Sequence, residues 1–178
     1  MIPTRRDWRG AYIHPAAISV EAHEFFGWKV HRHCMPVGSK LITQATGPIL
    51  RPACPNLTLY VRGRASVTDS EGNALTDRVP GMFSAERPDH PAGTFTVTAA
   101  EPVEFWCFNW HANRGALPSA SALRVNDGAS FQGQPGQRVI LCKGQLGDHQ
   151  EASAFWCDGS AMTAVGQVYG FLVGGDRV

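Results

Sequence analysis

The segment KVHRHC (29–34) places two histidines and a cysteine within four positions. His31 and His33 are two residues apart, so on a strand both imidazoles lie on one face, as a shared metal ion would require. Cys34 beside them and His90 further along are the other ligands such a site would draw on. A competing pattern runs through the same strand. Phe26, Trp28, Val30 and Cys34 fall on one parity and Lys29, His31 and His33 on the other, and the apolar set is the natural core face. On that reading the histidines face solvent or a partner, and Lys29 on their own face opposes a cation. His31, His33 and His90 are thus candidate metal ligands, while the expectation is that no metal or other cofactor is bound.

A second group is SAERPDHPAG, where His90 is surrounded by Glu86, Arg87 and Asp89. A carboxylate can orient such a histidine as a general base. The commoner use of these residues is a polar loop stiffened here by Pro88 and Pro91. Arg51 and Cys54 stand close together in ILRPACPN. Cys54 has no sequence signature pairing it with a histidine, so an inert buried thiol is the plainer expectation. His90, Glu86 and Arg51 are the candidate catalytic residues. Trp106, Phe108 and Trp110 alternate along one strand face, with His111 following. Such a stripe stacks on a sugar ring, fills a subunit interface, or simply packs a core. Near the start, Trp8 and Tyr12 are candidate interface anchors on an N-terminal arm.

These residues need elements to hold them, and composition restricts the elements. The chain has 178 residues, 43% apolar and 17% charged, which fits one globular domain. Sixteen basic and fifteen acidic residues nearly cancel, with no long basic run, which argues against a nucleic-acid surface. The five cysteines are scattered and never form C-x-x-C, so a reducing compartment is expected and a disulfide framework is not. No apolar run reaches the length of a membrane span, and no signal-peptide pattern opens the chain; a soluble protein made in the cytoplasm is expected.

Nineteen glycines and twelve prolines punctuate the sequence with no long helical period between them, the texture of an all-β sandwich or barrel. In NLTLYVRGRASVTDSEGN, Leu57, Leu59, Val61, Ala65 and Val67 alternate with Thr58, Tyr60, Arg62, Arg64 and Thr68. This predicts a strand with one solvated Thr/Arg face, followed by a turn at 69–73. Phe95, Val97 and Ala99 alternate with threonines in the next strand. VEFWCF (103–108) is apolar on both parities, as a strand buried on both sides would be. Eight to eleven strands are expected. The predicted organisation is an arm over 1–14, a β core over 15–111, a connector over 112–130 holding one short helix, and C-terminal strands over 131–178 packing on the same domain.

Residues 47 to 108 resemble the cupin superfamily, a double-sheet jelly roll. Val61-Arg62-Gly63 matches its V-x-G signal, Gly81 its second glycine, and ERPDHPAG lies where its second histidine motif belongs. The resemblance implies a cupin-like jelly roll with a C-terminal β extension. Metal-dependent cupins place H-x-H and a glutamate just before V-x-G. Here that stretch reads TGPILRPACPNLTLYVRG, without histidine or glutamate, so the resemblance implies a cupin that lacks its metal. In general texture the chain is also similar to small cupin-type proteins encoded among the virion genes of tailed bacteriophages. The expected function is a non-catalytic structural or interaction protein, most concretely capsid decoration or a tail component. Its expected partners are copies of itself or other structural subunits. The alternatives are a metal-dependent dioxygenase or isomerase, and a metal-free carbohydrate-binding cupin.

Overall fold

A computed structural model describes residues 5–6, 12–13, 18–44, 56–85, 94–109, 112–114 and 116–174. The chain divides into two compact units, Met1–Leu117 and Pro118–Val178. Sixteen strands lie among the described residues.

The first unit holds β1 (Arg5–Arg6), β2 (Tyr12–Ile13), β3 (Ser19–Phe25), β4 (Trp28–Met35), β5 (Lys40–Gln44), β6 (Asn56–Arg62), β7 (Ala65–Thr68), β8 (Ala74–Arg78), β9 (Phe83–Ala85), β10 (Thr94–Ala99) and β11 (Val103–Asn109). They form two antiparallel sheets. One has the order β1-β2-β5-β10-β7-β8 and the other β3-β4-β11-β6-β9. From β4 onward the chain passes repeatedly from sheet to sheet, the jelly-roll manner of winding. A core forms where the inner faces meet. Leu41, Ala65, Val67, Val97 and Ala99 come from the six-stranded sheet, and Met35, Tyr60, Val103 and Phe105 from the five-stranded one.

β3 and β4 form a hairpin in which Phe25 pairs with Trp28. The two turn residues, Phe26 and Gly27, both have positive φ, of 53° and 81°, the geometry that matches the twist of the flanking strands. Asn113 continues the ladder where β11 ends: its side-chain amide exchanges two hydrogen bonds with the Lys29 backbone, at 2.8 and 3.0 Å.

Several expectations hold. β11 is buried on both parities, from Val103 through Phe108, and the turn after β7 closes through Asp69 and Asn73. Three others are corrected. The stretch 56–68 is two strands in different sheets, parted at Gly63, whose φ is +69° and where a Cβ would run into the Pro102 carbonyl. Its Thr/Arg face is solvated only in part: Thr58 and Tyr60 are buried, whereas Arg64 is exposed. β6 lies inside its sheet, and Tyr60 belongs to the core between the sheets. The region 112–130 holds a strand rather than a helix.

That strand is β12 (Ala120–Val125), which opens the second unit. β13 (Ser130–Gln132), β14 (Arg138–Leu146), β15 (Ser153–Trp156) and β16 (Ala161–Val173) follow. The sheet runs β12-β16-β14-β15, with β13 pairing the start of β16. Its core gathers Leu123, Val125, Val139, Leu141, Leu146, Phe155 and Val168. Arg138, 5% exposed, donates to the Gly174 carbonyl at 2.9 Å and lies under the exposed Trp156 ring. No helix among the described residues is long and apolar enough to cross a membrane.

Candidate functional site

The five-stranded sheet carries most of the chemistry-bearing side chains, and strand parity sorts them onto two faces. In β4, His31 and His33 share parity with Met35, which lies in the core between the sheets. Across the ladder, His33 pairs with Phe105 and His31 with Cys107. Both histidines are therefore on the inner face, contrary to the expectation that they point outward. Val30 on the other parity is buried too. β4 lies between β3 and β11 in a sheet covered on both sides, so its apolar residues do not single out one inner face. Met35, two residues beyond His33, was the signal that could have set the parity correctly.

His33 is 1% exposed. Its ring lies flat on Phe105, with centroids 4.5 Å apart and planes 6° from parallel, and Tyr60 packs on the far part of the same cluster at 5.2 Å. The Cys107 Sγ is 3.5 Å from His33 Nε2. His31 is half-buried, its ring 6.4 Å from that of His33. A histidine, a thiol and an aromatic ring are thus stacked in a packed layer. Among the described residues, no three His, Cys, Asp or Glu side chains converge so as to hold a metal ion.

The opposite face of the same strands carries an ion network around a buried carboxylate that the sequence reading did not single out. Glu104 on β11 is 5% exposed. Its carboxylate accepts from Arg32 Nη2 at 3.1 Å, Arg62 Nε at 3.0 Å and Trp106 Nε1 at 3.0 Å. Arg32 also reaches Glu21 on β3 at 3.4 Å. Burial works against the Arg32 charge, but hydrogen bonding to Glu104 and the negative charges around it raise its pKa above the ordinary value. Cys34, half-buried beside this network, has its thiol pushed up by burial and then by the charge of Glu104, which lowers its thiolate fraction and its reactivity. The signal available in the sequence was the lone carboxylate in VEFWCF: a glutamate in an otherwise buried strand demands cationic partners.

Trp106 and Phe108 are both fully buried. Trp106 packs on His23 with centroids 4.9 Å apart and has the Arg32 guanidinium 5.7 Å from its ring. Tyr12 lies in β2 opposite Ile42. Arg51, Cys54, Glu86, His90, Trp8, Trp110 and His111 fall outside the described residues.

No family model matches the chain, and no curated protein matches it. Solved structures do. A conserved protein of unknown function from Pseudomonas aeruginosa PAO1 is 13% identical with a TM-score of 0.56, over 89% of this chain and 88% of its own. YhhW from Escherichia coli is 12% identical with a TM-score of 0.52, over 98% and 97%. The cupin 2 conserved barrel domain protein from Leptotrichia buccalis is 9% identical with a TM-score of 0.43, over 90% and 85%. At such identities the likeness is one of fold, and the fold of this chain is all-β, a double-sheet jelly roll in its first unit and a further antiparallel sheet in its second.

Proposed function

We propose that the protein is a non-catalytic structural or interaction subunit that works through its surfaces. The observation that carries this reading is the way its buried polar groups are used. His33 is held by a ring stack and a thiol contact, and three donors occupy the carboxylate of Glu104. These groups hold strands together, and a reacting group would need a free lone pair or proton facing a substrate. In its most specific form the subunit belongs to a bacteriophage virion, as a capsid-decoration or tail-associated protein. That form draws on the likeness of the sequence to small virion proteins, and co-sedimentation with particles tests it.

A second reading, a metal-dependent cupin enzyme, is favoured by one observation: His31 and His33 share the inner face of β4. Elemental analysis separates the two. Untagged protein, expressed in metal-supplemented medium and desalted without chelator, is expected to carry less than about a tenth of an equivalent of iron, manganese, nickel or zinc. About one equivalent per chain, lost on replacing His31 and His33, would make the enzyme reading the leading one.

A further inference from the structure

We propose that the outer edge of β3 pairs with the same edge of a second copy of this chain, antiparallel, about a two-fold axis at Ala22. This deepens the interaction reading and rests on it, naming the partner and the surface. β3 ends the five-stranded sheet, and no strand among the described residues lies on its far side. Its seven residues keep unbroken register with β4, from Ser19 opposite Cys34 to Phe25 opposite Trp28. It has no proline and no bulge, and Ser19 through Ala22 and Glu24 are exposed. The other sheet edges are shorter or blunted. β1, β9 and β15 have two, three and four residues. β8 has an irregular register and carries Asp77 and Arg78, and the six-residue β12 carries an exposed Arg124. A long, regular, open edge is the feature that folded proteins usually cover.

Hydrogen-bond phase admits several registers, and the sequence favours one of them. In a two-residue hairpin the residues flanking the turn, Phe25 and Trp28, form a hydrogen-bonded pair. By alternation the backbone amides of Val20, Ala22 and Glu24 face away from β4. A two-fold at Ala22 then pairs Ala22 with its copy and Val20 with Glu24 through those free groups. All seven residues take part, and Glu21 falls opposite His23 of the other copy at the non-hydrogen-bonded positions, where side chains approach most closely. Glu21 is 59% exposed, and within one chain its carboxylate is 3.6 Å from His23 Nε2, so it is placed to turn to a second imidazole. A two-fold at Glu24 would instead set Glu24 against itself, and one at Val20 would use only three residues; those at Glu21 and His23 fit the same phase but use only five and set that residue against its own copy.

Sedimentation equilibrium on the full chain tests this. The wild type is expected to be a dimer. Ala22→Pro removes one outward-facing N–H and leaves the hydrogen bonds to β4 intact; it is expected to be a monomer with an unchanged far-UV spectrum. Val20→Lys sets a lysine opposite Glu24 of the second copy, twice by symmetry, and is expected to tighten the dimer by about three- to tenfold. Val20→Glu is expected to weaken it by a similar factor. A monomeric wild type, or a dimer indifferent to both Val20 changes, overturns the proposal and leaves the interaction reading standing. A dimer that behaves as described but carries a full equivalent of metal overturns that reading and leaves the edge pairing intact.

Discussion

The two faces of the five-stranded sheet are built on the same residues of chain, one parity apart, and they hold polar groups inside by different physics. On the inner face, His33 is accommodated as a flat ring, stacked on Phe105 and touching a thiol. On the outer face, Glu104 is accommodated as a charge, held by Arg32, Arg62 and the Trp106 indole. A buried imidazole needs its ring packed and can stay neutral, whereas a buried carboxylate needs its charge answered. Loss of one partner should therefore cost more on the outer face than on the inner one.

The largest expected effect is at Glu104. Glu104→Ala leaves two partly exposed guanidinium side chains, 24% and 41% exposed, facing one another without their carboxylate, and should destabilise the protein by about 3 kcal/mol in a urea melt. Replacing Arg32, Glu104 and Arg62 together by methionine should recover most of that loss, because the desolvation cost disappears with the charges. If the triple variant is as unstable as Glu104→Ala, the charge account of the outer face is wrong. The inner face predicts a different pattern. His33→Ala should cost about 2 kcal/mol through the cavity it leaves, while His33→Phe, which keeps a flat ring against Phe105, should fall within about 1 kcal/mol of wild type. A large loss in His33→Phe would mean that the imidazole nitrogens matter more than the ring.

The smallest effect is expected at a turn carboxylate held by local hydrogen bonds. Asp69 is half-buried in the turn between β7 and β8. Hydrogen bonds from the Asn73 side chain and backbone, and from the Glu71 amide, hold its pKa below the ordinary carboxylate value. A depressed folded pKa means that the ionised form stabilises the fold above the unfolded pKa, and that this contribution fades as pH falls through the folded value. Wild type and Asp69→Ala should therefore differ slightly in thermal midpoint at neutral pH and converge in strong acid. A difference that persists in strong acid would show that Asp69 acts through something other than its charge.

Much of the fold was legible in the sequence. Glycine and proline spacing, the alternation of Phe95, Val97 and Ala99, and the apolar residues on both parities of β11 all pointed to a two-sided β structure. V-x-G marked the place where Gly63 turns the chain from one sheet to the other. The parity of β4 was not legible. A period of two says which residues share a face, but in a strand covered on both sides it does not say which face looks inward. Lys29 and the apolar Trp28 and Val30 pointed the wrong way, and only the packing of Met35 decided the matter. Nor did periodicity separate β6 from β7, because Gly63 keeps the alternation while sending its two halves to different sheets.

By itself, then, the sequence determined that this is a β protein, that a turn follows β7, and which residues share a face within a single strand, because these depend on local backbone preference and on a period of two. The tertiary structure alone decided that His33 meets Phe105 and Cys107, that Glu104 meets two arginines from β4 and β6, and that β3 is left as an edge. Those outcomes depend on which strands become neighbours. Pairings between residues 42 and 74 positions apart are settled by the assembly of whole sheets, and no local pattern encodes them.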